Sequence, residues 1–491
     1  MRVSGVWRAG LVVAVVFTAV WACVIFWWRA GDVTPGATPM LVWLVGVPVA
    51  ILSVLWIGAR IRRRRRRVQD DAAVSEEAAD PDAAVPTDPT SPQWPLGILA
   101  AAARLGCGGG AQALSRRLPE LPRPGLHPAL RDRDGLPVLA SFDADLETSS
   151  VHDRLRAGRG QRPAGEHLRA LALLEPVALE LFQAAAQLLP PLPEVEERVI
   201  AGLRRSVAAA PRESGSVHVV ALLPQDVPSA LREECDGWLR ELAADCGLDP
   251  RRSTFEVLAE QDADGTWRRL SQLLAGEPGA DAQWQLLLAS LSSIGERGLR
   301  ALVSSGRLAR AGNAEGLVPG EGAAGLLLRP AGAVRPAGHE PVPEIASLRT
   351  VAFEAGTPAR QAARASGDLL AAAMNDAAVV REDVAMVLSD ADQRPSRSVE
   401  AAVAASAACP ELDPVAACPA LGTASGHLGH AGPLVLLALA AERVREAGTP
   451  ALALSLASAA SRTAALLRIA AAEDLPKTPA NEPGATPGLA A

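Results

Sequence analysis

Two histidines three residues apart are the strongest candidates for chemistry in this 491-residue chain. His427 and His430 lie in the glycine-rich stretch SGHLGHAG, directly before an apolar run that is typical of a helix. A neutral imidazole held there could polarise a carbonyl group. The two rings could instead cap the helix expected from Ala431 or bond nearby carbonyls, and we favour this structural interpretation. No carboxylate or thiol pattern beside them indicates a metal site.

A second motif, Gly320-Glu321-Gly322, stands before the apolar run AAGLLL. Glycine adopts backbone angles that other residues avoid, and the small residues after it let a strand approach its neighbours closely. Glu321 could be an acid beside an active site. We favour a structural role, in which its carboxylate accepts hydrogen bonds from buried backbone N–H groups.

The cysteines form no recognisable chemical motif. None belongs to a C-x-x-C pair, and the histidines do not supply zinc-finger spacing, so we predict reduced thiols and no metal or cofactor. The six are Cys23, Cys107, Cys235, Cys246, Cys409 and Cys418. The glycines after Cys107 lack the Lys-Ser/Thr of a phosphate loop.

Two further polar groups are weaker candidates. His127 lies near Asp132 and Asp134, in a stretch typical of a turn that leads into the strand LPVLASF. A serine cluster follows another apolar run without the small-residue elbow of a hydrolase nucleophile. Its members are Ser290, Ser292 and Ser293.

The overall charge excludes nucleic acid as a partner of the whole chain. The formal net charge is -7 and the pI is about 5.7, whereas nucleic-acid-binding domains are strongly basic. Lys477 is the single lysine, so the folded part offers no lysine as a base or Schiff-base former.

The N-terminus has the pattern of a membrane hairpin. Residues 11–28 and 41–59 are uncharged and long enough to cross a bilayer, so we expect both to contact membrane lipid. Arg60 and the run Arg62 to Arg67 follow the second segment, while Arg2 and Arg8 precede the first. The positive-inside rule places both termini in the cytoplasm of a bacterial inner-membrane protein. A cleaved signal peptide is the alternative, but a small-residue cleavage site is not evident.

The composition divides the rest of the chain. Residues 1–68 contain the predicted hairpin and its arginine cluster, residues 69–93 are an acidic, proline-rich linker, and residues 471–491 have a similar composition. We expect the linker and the tail to be disordered. Between them, residues 94–214 and 215–470 alternate apolar strand runs with helical periods, which predict helices over 165–188 and about 228–245. This alternation predicts an α/β fold whose strands are buried on both faces.

Four stretches of the second part follow one another in a fixed order. They are DGTWRRLSQLLAGEPGADAQWQLLLASLSS, GLVPGEGAAGLLLRP, VAMVLSDADQRPSRSVEA and GTASGHLGHAGPLVLLALAAERV. In this order they resemble landmarks of the β-ketoacyl synthases over about 215–470. The resemblance implies a thiolase-like body with layers of helices and sheet. It also implies a nucleophilic thiol just before the helix in the first of these four stretches. Two catalytic histidines are implied on the loops of the third and fourth stretches.

The residues that this chemistry requires are not all present. Between Leu258 and Gly265, where the thiol belongs, there is no Cys, Ser or Thr, and Asp262 and Asp264 stand there instead. The closest thiol, Cys246, comes nearly twenty residues too early. The loop expected to carry the first histidine has Ser389 to Asp392, although His427 could match the second histidine.

The sequence therefore predicts a non-catalytic, membrane-anchored scaffold or adaptor that binds a protein partner, such as an accessory of an envelope or secretion machine. The alternative is a membrane-tethered acyl-transfer enzyme acting on acyl thioesters or lipid-linked substrates. The resemblance also implies a dimer, because thiolase-like proteins usually pair two copies along the edge of the strand near the nucleophile. We therefore expect a homodimer, or an internal domain that covers that edge strand. We expect that strand within AQWQLLLASL, over residues 282–291.

Overall fold

The computed structural model describes Trp21 and the ranges 92–156, 163–190, 195–200, 203–208, 215–277, 279, 282–334, 336, 341–354 and 357–470. For 195–200 and 203–208 it describes the backbone alone. The predicted membrane hairpin apart from Trp21, the linker before Pro92 and the tail over 471–491 lie outside the described residues.

The body alternates strands and helices in most of its length. The strands are β1 (Leu96–Leu105), β2 (Gly125–Arg131), β3 (Pro137–Ala140), β4 (Val195–Ile200), β5 (Leu203–Ala208), β6 (Val217–Pro224), β7 (Ser253–Glu260), β8 (Trp284–Ser292), β9 (Glu321–Arg329), β10 (Pro343–Ala352), β11 (Met386–Ser389), β12 (Ala451–Ser455) and β13 (Ser461–Ile469). The helices are α1 (Ala111–Arg116), α2 (Ser149–Arg156), α3 (Gly165–Leu188), α4 (Ser229–Asp245), α5 (Ala263–Ala275), α6 (Glu296–Ser304), α7 (Ala359–Asp376), α8 (Pro395–Ala408), α9 (Gly422–Ser425) and α10 (Gly432–Ala447).

Nine of these strands form one mixed sheet in the order β11-β12-β13-β10-β1-β9-β8-β6-β7. The strands β7, β6 and β8 are parallel to one another, and β9 is antiparallel to β8. The pairs β2–β3 and β4–β5 are separate antiparallel hairpins. The sequence prediction of a mixed α/β body with a large sheet is confirmed.

The sheet contains the same topology twice. Numbered within its own half, the first half (β1, β6, β7, β8, β9) lies in the order 3-2-4-5-1. The second half (β10, β11, β12, β13) lies in the same order if the segment over residues 417–421 is counted as its third strand. This segment runs beside β11, where the Val387 amide donates to the Ala417 carbonyl at 2.9 Å and the Ser389 amide to Pro419 at 3.0 Å. The two halves meet through their first strands, β1 and β10.

Three hydrophobic clusters define the layers of the body. The apolar residues of α5 and α10 pack with the inner faces of both halves of the sheet. Helices α3 and α4 cover the outer face of the first half, and α7 and α8 cover the outer face of the second. Every residue of α10 from Gly432 to Ala441 is buried, as expected for a helix that is apolar on all sides.

Helix α3 is the one described helix that is long and apolar enough to span a bilayer. Its buried residues, from Leu171 to Ala185, pack against the first half of the sheet. The packing of a core helix accounts for this composition.

Strand β1, from the N-terminal part over 94–214, lies in the middle of the nine-stranded sheet, between β9 and β10. One expectation about the sheet needs correction. The strand β8 is not an edge strand, because it pairs with β6 on one side and β9 on the other. The edge strand of the first half is β7.

Candidate functional site

The N-terminus of α5 is where the ketosynthase resemblance would require a thiol. The helix begins at Ala263, and the Asp262 carboxylate caps it by accepting hydrogen bonds from the Asp264 and Gly265 amides. A carboxylate at this end interacts favourably with the helix dipole. The first turn holds no thiol. Cys246 lies at the end of α4, where burial raises its pKa, so it is less reactive than a free thiol.

The second carboxylate of this turn ties the two halves of the body together. Asp264 accepts hydrogen bonds from the Ser458 hydroxyl at 2.8 Å and from the Ser461 hydroxyl at 2.6 Å. Both serines belong to the segment around the β12–β13 turn. Hydrogen bonds to an ionised acceptor are shorter and stronger than neutral ones. The two hydrogen bonds to Asp264 hold the β12–β13 turn against the start of α5.

The C-terminal end of β11 carries two more carboxylates. Asp390 accepts a hydrogen bond from the Ser455 hydroxyl at 2.6 Å, and burial raises its pKa. Asp392 binds the Arg394 guanidinium at 2.8 Å, and both side chains are buried. These residues occupy the loop on which the resemblance would place the first histidine.

His427 lies beside these carboxylates. Its amide donates to the Val318 carbonyl at 2.9 Å, which holds the loop against the segment before β9. Protein atoms enclose most of the ring, although part of its surface faces a cleft. Burial, aided by the Arg307 and Arg394 charges, lowers its pKa to about 3. His427 is therefore a neutral imidazole at pH 7.

His430 has a structural position. It is buried, and its Nε2 lies 3.0 Å from the Ser290 carbonyl of β8. Its own carbonyl accepts a hydrogen bond from the Thr266 hydroxyl of α5 at 2.8 Å. Burial lowers its pKa to about 4. The ring and carbonyl thus join the start of α10 to both β8 and α5.

The cleft that His427 faces is small, and more of its wall is apolar than polar, with Leu421 and Leu428 among the lining residues. It has about 330 Å³ of unfilled space, part of it open to solvent. Its walls include Asp390, Asp392, Ser425, His427, Gly429 and Ala457.

Glu321 is a buried ion-pair residue. Its carboxylate accepts hydrogen bonds from Arg169 at 2.6 and 2.8 Å, from the Ser292 hydroxyl at 2.8 Å and from the Asp143 amide at 2.8 Å. It therefore joins β9 to α3 and to the segment after β3. One backbone N–H is among its partners, as predicted, but the arginine is the main one.

The glycines beside Glu321 are needed for space and not for unusual backbone angles. Neither Gly320 nor Gly322 has a positive φ, so that part of the prediction was wrong. A Cβ on Gly320 would lie 2.2 Å from the Ser425 carbonyl oxygen, and one on Gly322 would lie 3.0 Å from Leu105. The backbone at Gly320 runs directly against the loop that carries His427.

The weaker candidates have structural partners, except Ser290, whose buried hydroxyl has none among the described residues. His127 Nδ1 accepts hydrogen bonds from the Ala129 and Leu130 amides, and Asp132 closes the turn before β3. The Ser293 hydroxyl donates to the Gly320 carbonyl. No group of three or more His, Cys, Asp or Glu side chains in the described part of the chain is arranged to hold a metal ion.

Sequence reasoning missed the partners of these groups. Arg169 stands in an otherwise apolar helical period, and nothing local indicates that it pairs with Glu321, 152 residues away. Ser458 and Ser461 belong to an Ala-Ser stretch with no motif. A buried charge always needs a partner, so Glu321 itself signalled that some cation would be found.

Comparisons with known proteins identify the architecture. Models of known protein families gave no match, and neither did curated protein sequences. Among solved structures, the body is similar to a ketosynthase from module 6 of the bacillaene synthase of Bacillus subtilis, with a TM-score of 0.51 and 11% identity over 77% of this chain and 72% of that one. It is also similar to the PfaC ketosynthase–chain length factor, with a TM-score of 0.50 and 12% identity over 78% of this chain and 43% of that one. The body has a ketosynthase-like fold.

The ketosynthase-like fold gives the site its meaning. In the resemblance, the start of α5, the end of β11 and the loop before α10 are the three places that carry the thiol and the two histidines. The structure brings two of these places together, because Asp390 and His427 line the same cleft. Asp264, at the start of α5, bonds Ser458 and Ser461 instead. Carboxylates stand at two of the three places, and a neutral histidine stands at the third.

Proposed function

We propose that this chain is a non-catalytic, membrane-anchored scaffold whose ketosynthase-like body binds a protein partner. The anchor would be the hairpin of residues 11–28 and 41–59, with both termini and the body on the cytoplasmic side of a bacterial inner membrane. An envelope or secretion machine is the kind of assembly that such an adaptor would serve.

The observation that carries this proposal is the bonding of Asp264. Condensation needs a thiolate at a helix N-terminus, where the dipole lowers the thiol pKa. Here the first turn of α5 holds Asp262 and Asp264, and both carboxylates are already bonded within the protein. Two negative charges at this place would also repel a carboxylated substrate.

The edges of the sheet support pairing with another copy through β7. On one edge, β7 is eight residues long and contains no proline, and among the described strands it pairs with β6 alone. On the other edge, the segment beside β11 follows Pro410 and Pro414 and contains Pro419, which cannot donate a ladder hydrogen bond. An open edge invites another strand, and a proline-rich edge prevents it. A closed homodimer that pairs the β7 strands of two copies would cover the open edge and leave the proline-rich edge unpaired.

A steady-state assay tests the absence of catalysis. The full-length chain in nanodiscs, given a malonyl thioester with a radiolabelled carboxyl group and an acyl thioester, should release no labelled carbon dioxide above the protein-free rate. Release that depends on His427, lost in His427→Ala, would reject the scaffold proposal.

One observation favours the second candidate, a membrane-tethered acyl-transfer enzyme. The His427 ring is neutral at pH 7 and faces a cleft, which is a suitable state for polarising a carbonyl. Without a thiol in the first turn of α5, transfer would have to proceed directly between two bound substrates. Product formation from two acyl substrates without any enzyme adduct would support this candidate over the scaffold.

A further inference from the structure

The β2–β3 hairpin carries a concentrated apolar surface. Three leucines in the described part of the chain are at least 36% exposed, and all three belong to this hairpin. They are Leu126 (64%), Leu136 (58%) and Leu139 (36%). Leu126 and Leu139 are direct partners in the antiparallel register, so their side chains lie on the same face. Single exposed leucines are ordinary, whereas a cluster marks an interaction surface.

The inner face of the hairpin is packed on the body. Val138 is 3% exposed and belongs to a small core with residues of α6 and of the segment before β9, including Leu302 and Leu317. At the base of the hairpin, the His127 and Phe142 rings lie 4.4 Å apart. The outer leucines are therefore presented on a fixed platform.

The charges around this surface are mainly positive. Arg123, Arg131 and Arg133 flank the leucines in sequence. The two carboxylates within the hairpin are already engaged, and Arg133 itself lies 3.7 Å from Asp134. Asp132 accepts hydrogen bonds from turn amides at 2.9 Å, and Asp134 lies 3.4 Å from Arg310. An apolar face bordered by arginines is complementary to an anionic lipid surface, where leucines enter the interface and arginines meet phosphates.

The chain before the body is long enough to allow such a contact. From Arg67 to Pro92 there are 24 intervening residues, and a flexible chain of that length would have a root-mean-square span of about 25–30 Å. A body of this size has a radius of gyration of about 21 Å. If residues 11–59 enter a bilayer, the hairpin stays within reach of it at high effective concentration. This confinement favours the membrane over a free protein as the occupant.

We propose that the outer face of the β2–β3 hairpin docks on the anionic surface of the membrane that holds the chain. The contact rests on the proposed anchor, and it would orient the body. The β7 edge and the His427 cleft would then face the cytoplasm in a fixed direction and not at random.

Hydrogen exchange of the full-length chain in nanodiscs, at one chain per disc, tests the contact. On discs containing phosphatidylglycerol, amides of residues 125–140 should exchange at least about threefold more slowly than on pure phosphatidylcholine discs. The difference should shrink at 1 M salt, because the Debye length falls to about 3 Å. Leu126→Asp with Leu139→Asp should abolish the protection. The matched control, Val399→Asp with Val403→Asp on the exposed face of α8, should leave it intact.

The outcomes separate the possible occupants. Equal exchange on both lipids, or protection that survives the double leucine substitution, would overturn the proposal. Protection that appears only when several chains share a disc would indicate a second copy and would also overturn it. If the chain fails to enter discs, the anchor proposal fails by itself. The docking proposal is then tested by co-sedimentation of the same chain with phosphatidylglycerol vesicles, and absence of leucine-dependent sedimentation would reject it.

Discussion

The Ser461 hydroxyl lies 2.6 Å from the Asp264 carboxylate, across the boundary between the two halves of the body. Asp264 belongs to the first turn of α5, and Ser461 begins β13, so one hydrogen bond joins the first half to the second. The Ser458 hydroxyl bonds the same carboxylate from the β12–β13 turn. These two hydrogen bonds hold the first turn of α5 against the β12–β13 turn.

Removing this carboxylate should therefore cost stability. Asp264→Ala leaves two serine hydroxyls without their acceptor, and we expect a loss of about 1–3 kcal/mol in the free energy of unfolding. Urea denaturation followed by circular dichroism measures it. Asp368→Ala, on the exposed face of α7, is the control and should change stability by less than about 0.5 kcal/mol. Equal effects of the two substitutions would contradict the role given to Asp264.

The Arg169–Glu321 pair predicts a larger effect. Glu321 is fully buried, so Arg169→Ala leaves a buried carboxylate without its cation, at a cost of about 3–5 kcal/mol. The exposed pair Arg240–Asp236 provides the comparison, because Arg240→Ala should cost less than about 1 kcal/mol. Chemical denaturation of the two variants side by side checks the ratio, and a small effect of Arg169→Ala would show that the pair is dispensable.

Two glycine substitutions should have opposite signs. Gly320→Ala drives a methyl group against the Ser425 carbonyl and should destabilise the body by several kcal/mol, roughly 2–4, through backbone displacement. Gly237 lies in the interior of α4, with nothing within 4 Å of its missing Cβ, so Gly237→Ala should stabilise by about 0.5–1 kcal/mol. Thermal denaturation midpoints of both variants decide the matter. A tolerated Gly320→Ala would mean that the loop before α10 moves freely.

The buried histidines predict a loss of stability in mild acid. Burial lowers the pKa of His427 to about 3 and that of His430 to about 4, from 6.5. Below pH 6.5 the unfolded chain therefore binds protons that the folded chain does not. Stability should fall between pH 6.5 and about 4, by up to about 1.36 kcal/mol per pH unit for each histidine. The raised pKa of Asp390 acts in the opposite direction below its folded-state value.

Urea midpoints measured from pH 7 to pH 4 test this pH dependence. His427→Leu cannot take up a proton, so its stability should decline less steeply than that of the unmodified chain. An unchanged slope in His427→Leu would mean that the imidazole is protonated normally in the folded state.

Much of the fold follows from local patterns in the sequence. Helix α3 over 165–188 and the start of α4 near 229 were predicted within about a residue, because their apolar periods are long and end at prolines or glycines. The position of β10 was not predicted, because Arg349 and Thr350 interrupt its apolar pattern. The order of strands in a sheet depends on contacts between distant segments. For that reason the sequence predicts β8 at the edge of the sheet, whereas β7 lies there.

The candidate site likewise combines features that the sequence shows with features that depend on contacts between distant segments. The absence of a thiol before α5 is visible in the sequence itself. The partners that occupy the carboxylates are not, because Asp264 and Ser461 are 197 residues apart. Likewise, the requirement for Gly320 comes from the approach of Ser425 in three dimensions, and no rule about glycine angles would have found it.

Intact mass measurement tests directly whether the chain forms a covalent acyl adduct. The purified full-length chain is incubated with an excess of malonyl and acyl thioesters, and its mass is compared with that of the untreated chain. Asp262→Cys, which places a thiol at the start of α5, is the positive control for detecting an acyl adduct. We expect no added mass on the natural chain at pH 7. A stoichiometric acyl adduct on the natural chain, lost on substitution of a single cysteine or in His427→Ala, would contradict it.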